Sequence, residues 1–227
     1  MVRSGELRAR VAARYRDLGL PSWPDPHAGM TSPREEEYER VTEPGRYGIV
    51  HARARVWAEC LGEVAGIEVE PLAPAPLDGE GRLGGFDRGV RLISPRPGTL
   101  PLLLLERDAP LSGLDASLAV LHISVVRPEI AVAVLPDCGC DACDRGSDDL
   151  LQAIDQTVGT VVGGPFVVLR GSGWQALWHP DGGSSDGTGR GPGHDRAMEL
   201  CRRLAAGEDV RLPGGVEAFV GRPWLVS

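Results

Sequence analysis

Three cysteines lie within six residues of one another in the segment Leu135-Pro136-Asp137-Cys138-Gly139-Cys140-Asp141-Ala142-Cys143-Asp144. Cys140 and Cys143 have the C-x-x-C spacing of a zinc knuckle, in which a tight turn directs both sulfurs at one ion. Gly139 is expected to give the backbone the freedom that lets Cys138 join them. The array therefore predicts a zinc site formed by Cys138, Cys140 and Cys143.

Three thiolates leave one position of a tetrahedral zinc site to be filled. The candidates for the fourth ligand are His179 in the Trp-His-Pro-Asp segment, His122, His194 and the local carboxylate of Asp144. Spacing alone does not choose among them, and His179 is taken as the first candidate. If water occupied the fourth position instead, the site would be open and able to support catalysis.

The surroundings of the cysteines are acidic. Five aspartates lie before, among and just after the cysteines: Asp137, Asp141, Asp144, Asp148 and Asp149. Negative neighbours raise the pKa of a thiol and disfavour the reactive thiolate, whereas a divalent cation offsets the repulsion. The charge pattern therefore favours metal binding over thiol redox chemistry. Ordinary thiols in an ordered turn are the remaining interpretation.

Composition excludes several kinds of enzyme. All 24 basic side chains of the 227-residue chain are arginine, and the sequence contains neither lysine nor asparagine. A Schiff-base enzyme, a Walker-type phosphate loop and a protein kinase each require a lysine. The chemistry that remains is concentrated on thiols, histidines and carboxylates.

Charge and hydropathy limit the partners and the compartment. The formal net charge is -8, which argues against binding to nucleic acid or to an anionic membrane. No stretch has the length and apolar character of a membrane span or of a signal-peptide core. Five cysteines, three of them clustered, do not form a disulfide framework. We therefore expect a cytoplasmic protein whose protein or small-molecule partner the sequence does not identify.

Hydrophobic periodicity predicts helices before strands. A helix is expected over 4–18, a second from Ser32 to just before Pro44 with Tyr38 and Val41 facing inward, and a third over 46–64. Strands are expected at 67–70, 90–93, 100–105, 119–126, 130–135, 166–169, 174–178 and 216–220, and further helices at 148–162 and 194–204.

This order predicts an α+β protein, with N-terminal helices followed by a mostly antiparallel sheet and two further helices. We expect a single domain over 1–227, with a helical part at 1–66 and a sheet-containing part at 67–227. A long loop at 71–89 is the best candidate for a boundary. Six of the thirteen residues over 181–193 are glycine, which predicts a mobile insertion.

The other cysteines and histidines receive structural interpretations. Cys60 and Cys201 lie on predicted helices near apolar faces, and buried free cysteine is common. His51 lies beside Arg53 and Arg55 and is expected to be solvated or to cap the helix. His27 follows a proline-rich crossing and has no partner nearby in sequence.

Two segments resemble a known family. One is Glu37-Tyr38-Glu39-Arg40-Val41-Thr42, followed by Pro44 and Arg46-Tyr47, and the other is the cysteine segment from Pro136 to Asp144. Together they resemble an uncharacterised actinobacterial family that is classified as a domain of unknown function. The resemblance implies a GC-rich source and a cytoplasmic setting. It assigns no activity, so it transfers no catalytic residue.

Three hypotheses about function follow. The first is a non-enzymatic binding or interaction module in which zinc fastens the corner between a strand and a helix. The second is an enzyme that uses an open zinc site, or a thiol pair at Cys140 and Cys143. The third is an immunity-type protein that neutralises a basic toxin through its acidic surface, which rests on charge and size alone.

Overall fold

The computed structural model describes residues 3–29, 32–77, 84–113, 115–189 and 191–225. Within them lie four α-helices, α1 Ser4–Arg16, α2 Ile49–Gly62, α3 Ser147–Gly163 and α4 His194–Ala205. The strands are β1 Glu68–Leu72, β2 Arg88–Ile93, β3 Leu102–Pro110, β4 Ser117–Val125, β5 Ala131–Leu135, β6 Phe166–Gly171, β7 Trp174–His179, β8 Gly182–Gly187 and β9 Glu217–Gly221.

The described residues separate into two compact units. The cysteine-loop unit comprises residues 5–93 and 101–158, and the C-terminal unit comprises residues 1–4, 94–100 and 159–227. The loop at 71–89, which the sequence favours as a boundary, lies inside the cysteine-loop unit. The isolated bridge between Ala75 and Phe86 joins the two sides of the loop at 71–89, so this loop does not separate two units.

The cysteine-loop unit is built on a five-stranded antiparallel sheet with the order β1-β2-β3-β4-β5. Its centre is β3, whose leucines from Leu102 to Leu105 are buried on both faces. One face packs against α2, which contacts the first four strands. The other face carries Leu103 and Leu105, which pack with Leu77 and Phe86. A continuous leucine run therefore forms a central strand rather than an alternating edge strand.

Helices α1 and α2 and the first part of α3 complete this unit. Trp57 and Leu61 of α2 are fully buried, as are Leu7 and Val11 of α1. Asp155 of α3 accepts hydrogen bonds from the Arg53 guanidinium and from Trp57 Nε1 at 2.7 Å. An ion pair with a buried arginine thus ties α2 to α3, and its hydrogen bonds offset part of the cost of burying the charge.

The C-terminal unit contains a four-stranded antiparallel sheet with the order β8-β7-β6-β9, on which α4 packs. Val167 and Leu169 of β6, Trp174 of β7 and Met198 and Cys201 of α4 form its core. Alternate residues of β6 and β7 contribute to this core, while Phe166 and Val168 of β6 are buried on the opposite face of the sheet. The helices and the two antiparallel sheets confirm the α+β class.

The prediction of a helix from Ser32 to just before Pro44 is wrong. Residues 32–43 contain one 3₁₀ turn, Glu35–Glu37, and Tyr38 is 56% exposed. The Glu37 carboxylate accepts the backbone N–H of Arg34 at 2.6 Å, which closes a local turn. The later residues bond to another part of the chain instead of continuing a helix. With so few apolar residues, the segment had no face whose burial would stabilise a helix.

The glycine-rich segment also differs from expectation. Residues 182–187 form the edge strand β8, which pairs with β7 from Gly182↔His179 to Gly187↔Trp174. Backbone hydrogen bonds need no side chains, and a methyl group on Gly183 would lie 2.4 Å from the Met198 sulfur. The glycines thus allow close packing under α4. The predicted strands did not include β8, and the mobility of the segment stays a prediction.

Candidate metal centre

The structure brings the sulfurs of Cys138, Cys140 and Cys143 together, with all three within 4.8 Å of one another. The segment follows β5 and enters a 3₁₀ turn, Asp141–Cys143, before α3 begins at Ser147. The Cys138 thiol donates to the Cys140 sulfur at 3.1 Å. Cys140 is buried and Cys143 is exposed. The turn does what the C-x-x-C spacing predicts, since it directs its sulfurs to one point.

Asp141 anchors the middle of this loop to the segment before α2. Its carboxylate accepts hydrogen bonds from Arg40 Nε at 2.6 Å, from the Thr42 backbone N–H at 2.9 Å and from the Thr42 hydroxyl. Its backbone N–H donates to the Arg40 carbonyl at 2.8 Å. The two sequence segments that carry the family resemblance therefore bind each other directly.

Asp144 anchors the end of the loop and is almost completely buried. Its carboxylate accepts Trp23 Nε1 at 3.0 Å, the Gly146 N–H at 2.8 Å and a hydrogen bond from the Arg46 guanidinium. The guanidinium lies over the Trp23 ring, 4.8 Å from its centroid. Since both carboxylate oxygens are already bound to donors, Asp144 orients the loop rather than offering a free ligand atom.

Gly139 acts through space rather than through an unusual backbone angle. Its φ lies outside the left-handed region, but an added Cβ would lie 2.4 Å from Leu118 Cδ2. Leu118 belongs to β4, so the loop passes closely over the sheet at this residue. The reason that the sequence suggested for this glycine is wrong, and the close approach replaces it.

The cluster favours a single thiolate. Burial opposes ionisation of Cys140, but hydrogen bonds from the other two thiols and from the backbone outweigh it, so the pKa of Cys140 is lowered. The hydrogen bond to Cys140 is the main cause that raises the pKa of Cys143 to about 12, and burial adds to it. Burial likewise raises the pKa of Cys138. Two protons therefore leave readily only when a cation replaces them.

The histidines considered as fourth ligands lie in different places. His179 ends β7 in the C-terminal unit, where its Nδ1 accepts the Asp181 N–H at 3.2 Å. His194, in the same unit, bonds to the Ser185 hydroxyl at 3.0 Å. His122 is buried on β4 between Leu105 and Val134. In the described part of the chain, only the three cysteines form the cluster, and a ligand role for His179 stays a prediction.

A cavity of about 750 Å³ adjoins the cluster, with Cys138 and Cys143 in its wall. Tyr47 also lines this cavity. Its side chain is buried, and its hydroxyl makes no well-formed hydrogen bond with the described residues, although the Arg46 side chain lies near it. Burial raises the pKa of Tyr47, so the phenol is neutral and able to donate at neutral pH. The wall of the cavity therefore includes two of the candidate metal ligands and a buried phenol.

His27 is a neighbour that the sequence did not reveal. Its Nε2 lies 3.3 Å from the carbonyl oxygen of Asp141, although more than a hundred residues separate them. The proline-rich crossing brings Trp23 and His27 to the loop, and the Trp23 carbonyl accepts the Ser147 N–H at 3.0 Å. In the sequence, the three prolines predicted that this segment is extended, but they did not indicate which part of the chain it contacts.

A buried polar cluster around Glu106 of β3 is a second feature that the sequence missed. Glu106 accepts hydrogen bonds from Arg55 at 2.7 Å and from Arg88 at 2.5 Å. Arg88 also donates to His51 Nδ1, while His51 Nε2 donates to the Val120 carbonyl at 2.9 Å. His51 is only 4% exposed, so the solvated role expected for it is wrong. Cys60 and Cys201 are fully buried, which confirms their structural interpretation.

Comparisons with known proteins give a family but no activity. In the described residues, no helix has both the length and the apolar character required to cross a membrane. The searches of curated proteins and of solved structures each found no match. A family model matches residues 11–227. The chain therefore belongs to DUF6226, a family of unknown function.

Proposed function

We propose that the protein binds zinc through Cys138, Cys140 and Cys143. The observation that carries the proposal is the meeting of three sulfurs within 4.8 Å on a loop that other residues hold in place. Thiolates are soft ligands, and zinc is the common divalent ion for a thiolate-rich tetrahedral site. The anchors at Asp141 and Asp144 lower the ordering cost of binding because the loop is fixed by contacts that need no metal.

Charge supports a cation at this position. The cluster shares its loop with Asp137, Asp141 and Asp144, and three thiols separated by less than 4.8 Å repel one another once they ionise. A divalent ion removes this repulsion and replaces the protons. Of the three thiols, only Cys140 has a lowered pKa, and its sulfur is buried, which limits the reactivity of the one thiolate that a redox enzyme could use.

We further propose that the role is that of a cytoplasmic binding module rather than of an enzyme. Zinc would fasten the corner between β5 and α3, where the chain turns from strand to helix through a short loop. A net charge of -8 favours a protein or small-molecule partner over nucleic acid or an anionic membrane.

The test is metal analysis of the full-length protein purified without added zinc. We expect about one zinc ion per chain, because the three cysteines would form a single four-coordinate site. Cys140→Ser should lose the metal, whereas Cys201→Ala, which changes a buried cysteine of the other unit, should keep it. Protein without metal whose three loop thiols all react freely in the folded state would contradict the proposal.

A redox role is the second candidate, because the Cys138 and Cys140 sulfurs lie 3.1 Å apart. Oxidation would join the two sulfurs and release two protons and two electrons to a disulfide such as oxidised glutathione. Intact-mass measurement after equilibration with glutathione distinguishes the roles. Loss of two hydrogens by the zinc-loaded protein would favour redox chemistry, while protection by zinc favours the metal site.

A further inference from the structure

The cavity beside the cysteine cluster determines which side of a bound metal remains accessible. Cys138 and Cys143 line this cavity of about 750 Å³, whereas Cys140 does not. Cys140 is only 6% exposed, so its side is covered by protein. A metal held by the three sulfurs would therefore have protein on the Cys140 side and the cavity on the side of Cys138 and Cys143.

The neighbouring donors of the loop are already engaged. Asp137 accepts the Cys138 N–H at 2.8 Å, and the carboxylates of Asp141 and Asp144 accept the hydrogen bonds described above. His27 Nε2 interacts with the Asp141 carbonyl. To supply a fourth ligand, Asp141 or Asp144 would have to break a contact that holds the loop, whereas the hydrogen bonds of Asp137 and His27 occupy only Oδ1 and Nε2.

The hydroxyl of Tyr47 is an independent sign of a ligand. Tyr47 is 2% exposed and lines the same cavity, and among the described residues its hydroxyl has the Arg46 side chain nearby but no well-formed hydrogen bond. A buried hydroxyl normally has a hydrogen-bond partner, from protein or from another molecule. A molecule in the cavity would supply this partner.

We propose that the fourth position of the metal opens into this cavity and binds a small neutral organic molecule through a nitrogen donor, with Tyr47 as its second contact. The inference rests on the proposed function, since it requires the metal. It goes beyond it by naming an exogenous ligand in place of a fourth protein ligand. The metal then serves as part of a binding site as well as a fastening for the corner.

The class of ligand follows from charge and from the cavity wall. Three thiolates and one divalent ion carry a net charge of -1, and Asp137 and Asp149 outnumber Arg145 in the wall, beyond the paired Asp144. Anionic donors are therefore repelled. The wall also offers apolar side chains, among them Pro33, Leu135, Leu150 and Ala153, beside polar surface of similar extent. A neutral nitrogen donor on a compact, partly apolar body fits both properties.

Cobalt(II) in place of zinc makes the fourth position visible, because its absorption bands change with the ligand. We expect the full-length protein to bind one cobalt with thiolate charge-transfer bands, and imidazole to shift the visible bands in a saturable way. Azide, an anion, should do so more weakly. A cobalt spectrum that imidazole does not change would overturn the inference and leave the proposed function intact. Failure to bind cobalt or zinc would overturn the proposed function itself.

Tyr47→Phe tests the second contact, since it removes the hydroxyl and keeps the ring. The probe is imidazole bearing a hydroxymethyl group, compared with imidazole bearing a methyl group. The hydroxymethyl probe should bind the parent protein about three- to tenfold more tightly than the methyl probe, because it gains one hydrogen bond. This preference should disappear in Tyr47→Phe. Equal binding of both probes by the parent protein would overturn the role of Tyr47, whether or not the variant folds.

His179→Ala separates an exogenous ligand from the histidine suggested by the sequence. We expect the variant to keep the parent cobalt spectrum and the parent affinity for imidazole. A parent spectrum that is insensitive to imidazole and becomes sensitive in His179→Ala would identify His179 as the fourth ligand and overturn the inference. A stronger response to azide than to imidazole would overturn the neutral class of ligand.

Discussion

The guanidinium of Arg46 donates a hydrogen bond to the carboxylate of Asp144, one residue after Cys143. Arg46 lies in the 3₁₀ turn Pro44–Gly48 that leads into α2, so the position of the third cysteine depends on a residue nearly a hundred positions earlier. Trp23 donates to the same carboxylate from the proline-rich crossing. Three distant parts of the sequence thus meet at the end of the cysteine loop.

Asp144→Asn should loosen this end of the loop. The side chain is 1% exposed, and loss of its charge leaves Arg46 only the exposed Glu43, 3.8 Å away, as an acidic partner. We expect the free energy of unfolding to fall by about 2–4 kcal/mol and zinc affinity to fall about tenfold or more. Urea unfolding and zinc competition measure the two effects. Asp181→Asn, at a side chain that is 95% exposed, is the control; equal effects in both variants would contradict the anchor.

Gly139→Ala should disturb the approach of the loop to β4. The added methyl group would lie 2.4 Å from Leu118 Cδ2, and Leu118 is itself only 8% exposed. We expect a loss of about 1–3 kcal/mol in stability, as for other overpacked sites, together with weaker zinc binding. Gly214→Ala has open space around the new methyl group and should change stability by less than about 0.5 kcal/mol. An unchanged Gly139→Ala protein would show that the loop is not held against Leu118.

Glu106→Gln should remove the centre of the polar cluster on β3. Burial opposes ionisation of Glu106, but hydrogen bonds from Arg55 and Arg88 outweigh it and lower its pKa. Its contribution to stability is therefore present above the unfolded value near 4.5 and is lost as the pH falls through the lower folded value. We expect a loss of about 2 kcal/mol at pH 7, measured by urea unfolding.

Glu59→Gln is the matched control for Glu106. The Glu59 side chain is 61% exposed and lies 3.8 Å from Arg14. The substitution therefore removes only a solvent-exposed ion pair and should change stability little. If the two glutamine variants were equally stable, the cluster around Glu106 would contribute nothing beyond a surface pair.

His122 should make stability depend on pH between about 4 and 6.5. Burial, with a smaller effect from Arg107, lowers its pKa from 6.5 to about 4. The unfolded chain therefore takes up a proton first as the pH falls, and the folded state loses up to about 2–3 kcal/mol across this window. Urea unfolding at several pH values measures the slope. His122→Leu should flatten the curve there, and an unchanged slope would assign the effect to other groups.

The sequence determined those features that depend on local patterns. The C-x-C-x-x-C spacing sufficed to predict the cluster because three residues so near in sequence can meet in one turn. The leucine run of β3 and the apolar periodicity of α2, α3 and α4 likewise predicted their elements. Composition alone excluded lysine-dependent chemistry, because the sequence contains no lysine.

The tertiary structure decided which distant groups meet. Residues 32–43 have too little apolar surface to stabilise a helix. The conformation of the segment is fixed instead by the hydrogen bonds that Arg40 and Thr42 donate to Asp141. The glycines of β8 gave no strand signal, because the strand is held by its backbone pairing to β7. Neither the role of Tyr47 in the cavity wall nor the burial of His51 can be read from neighbouring residues. Periodicity records local geometry, whereas long-range pairing depends on the packing of the whole chain.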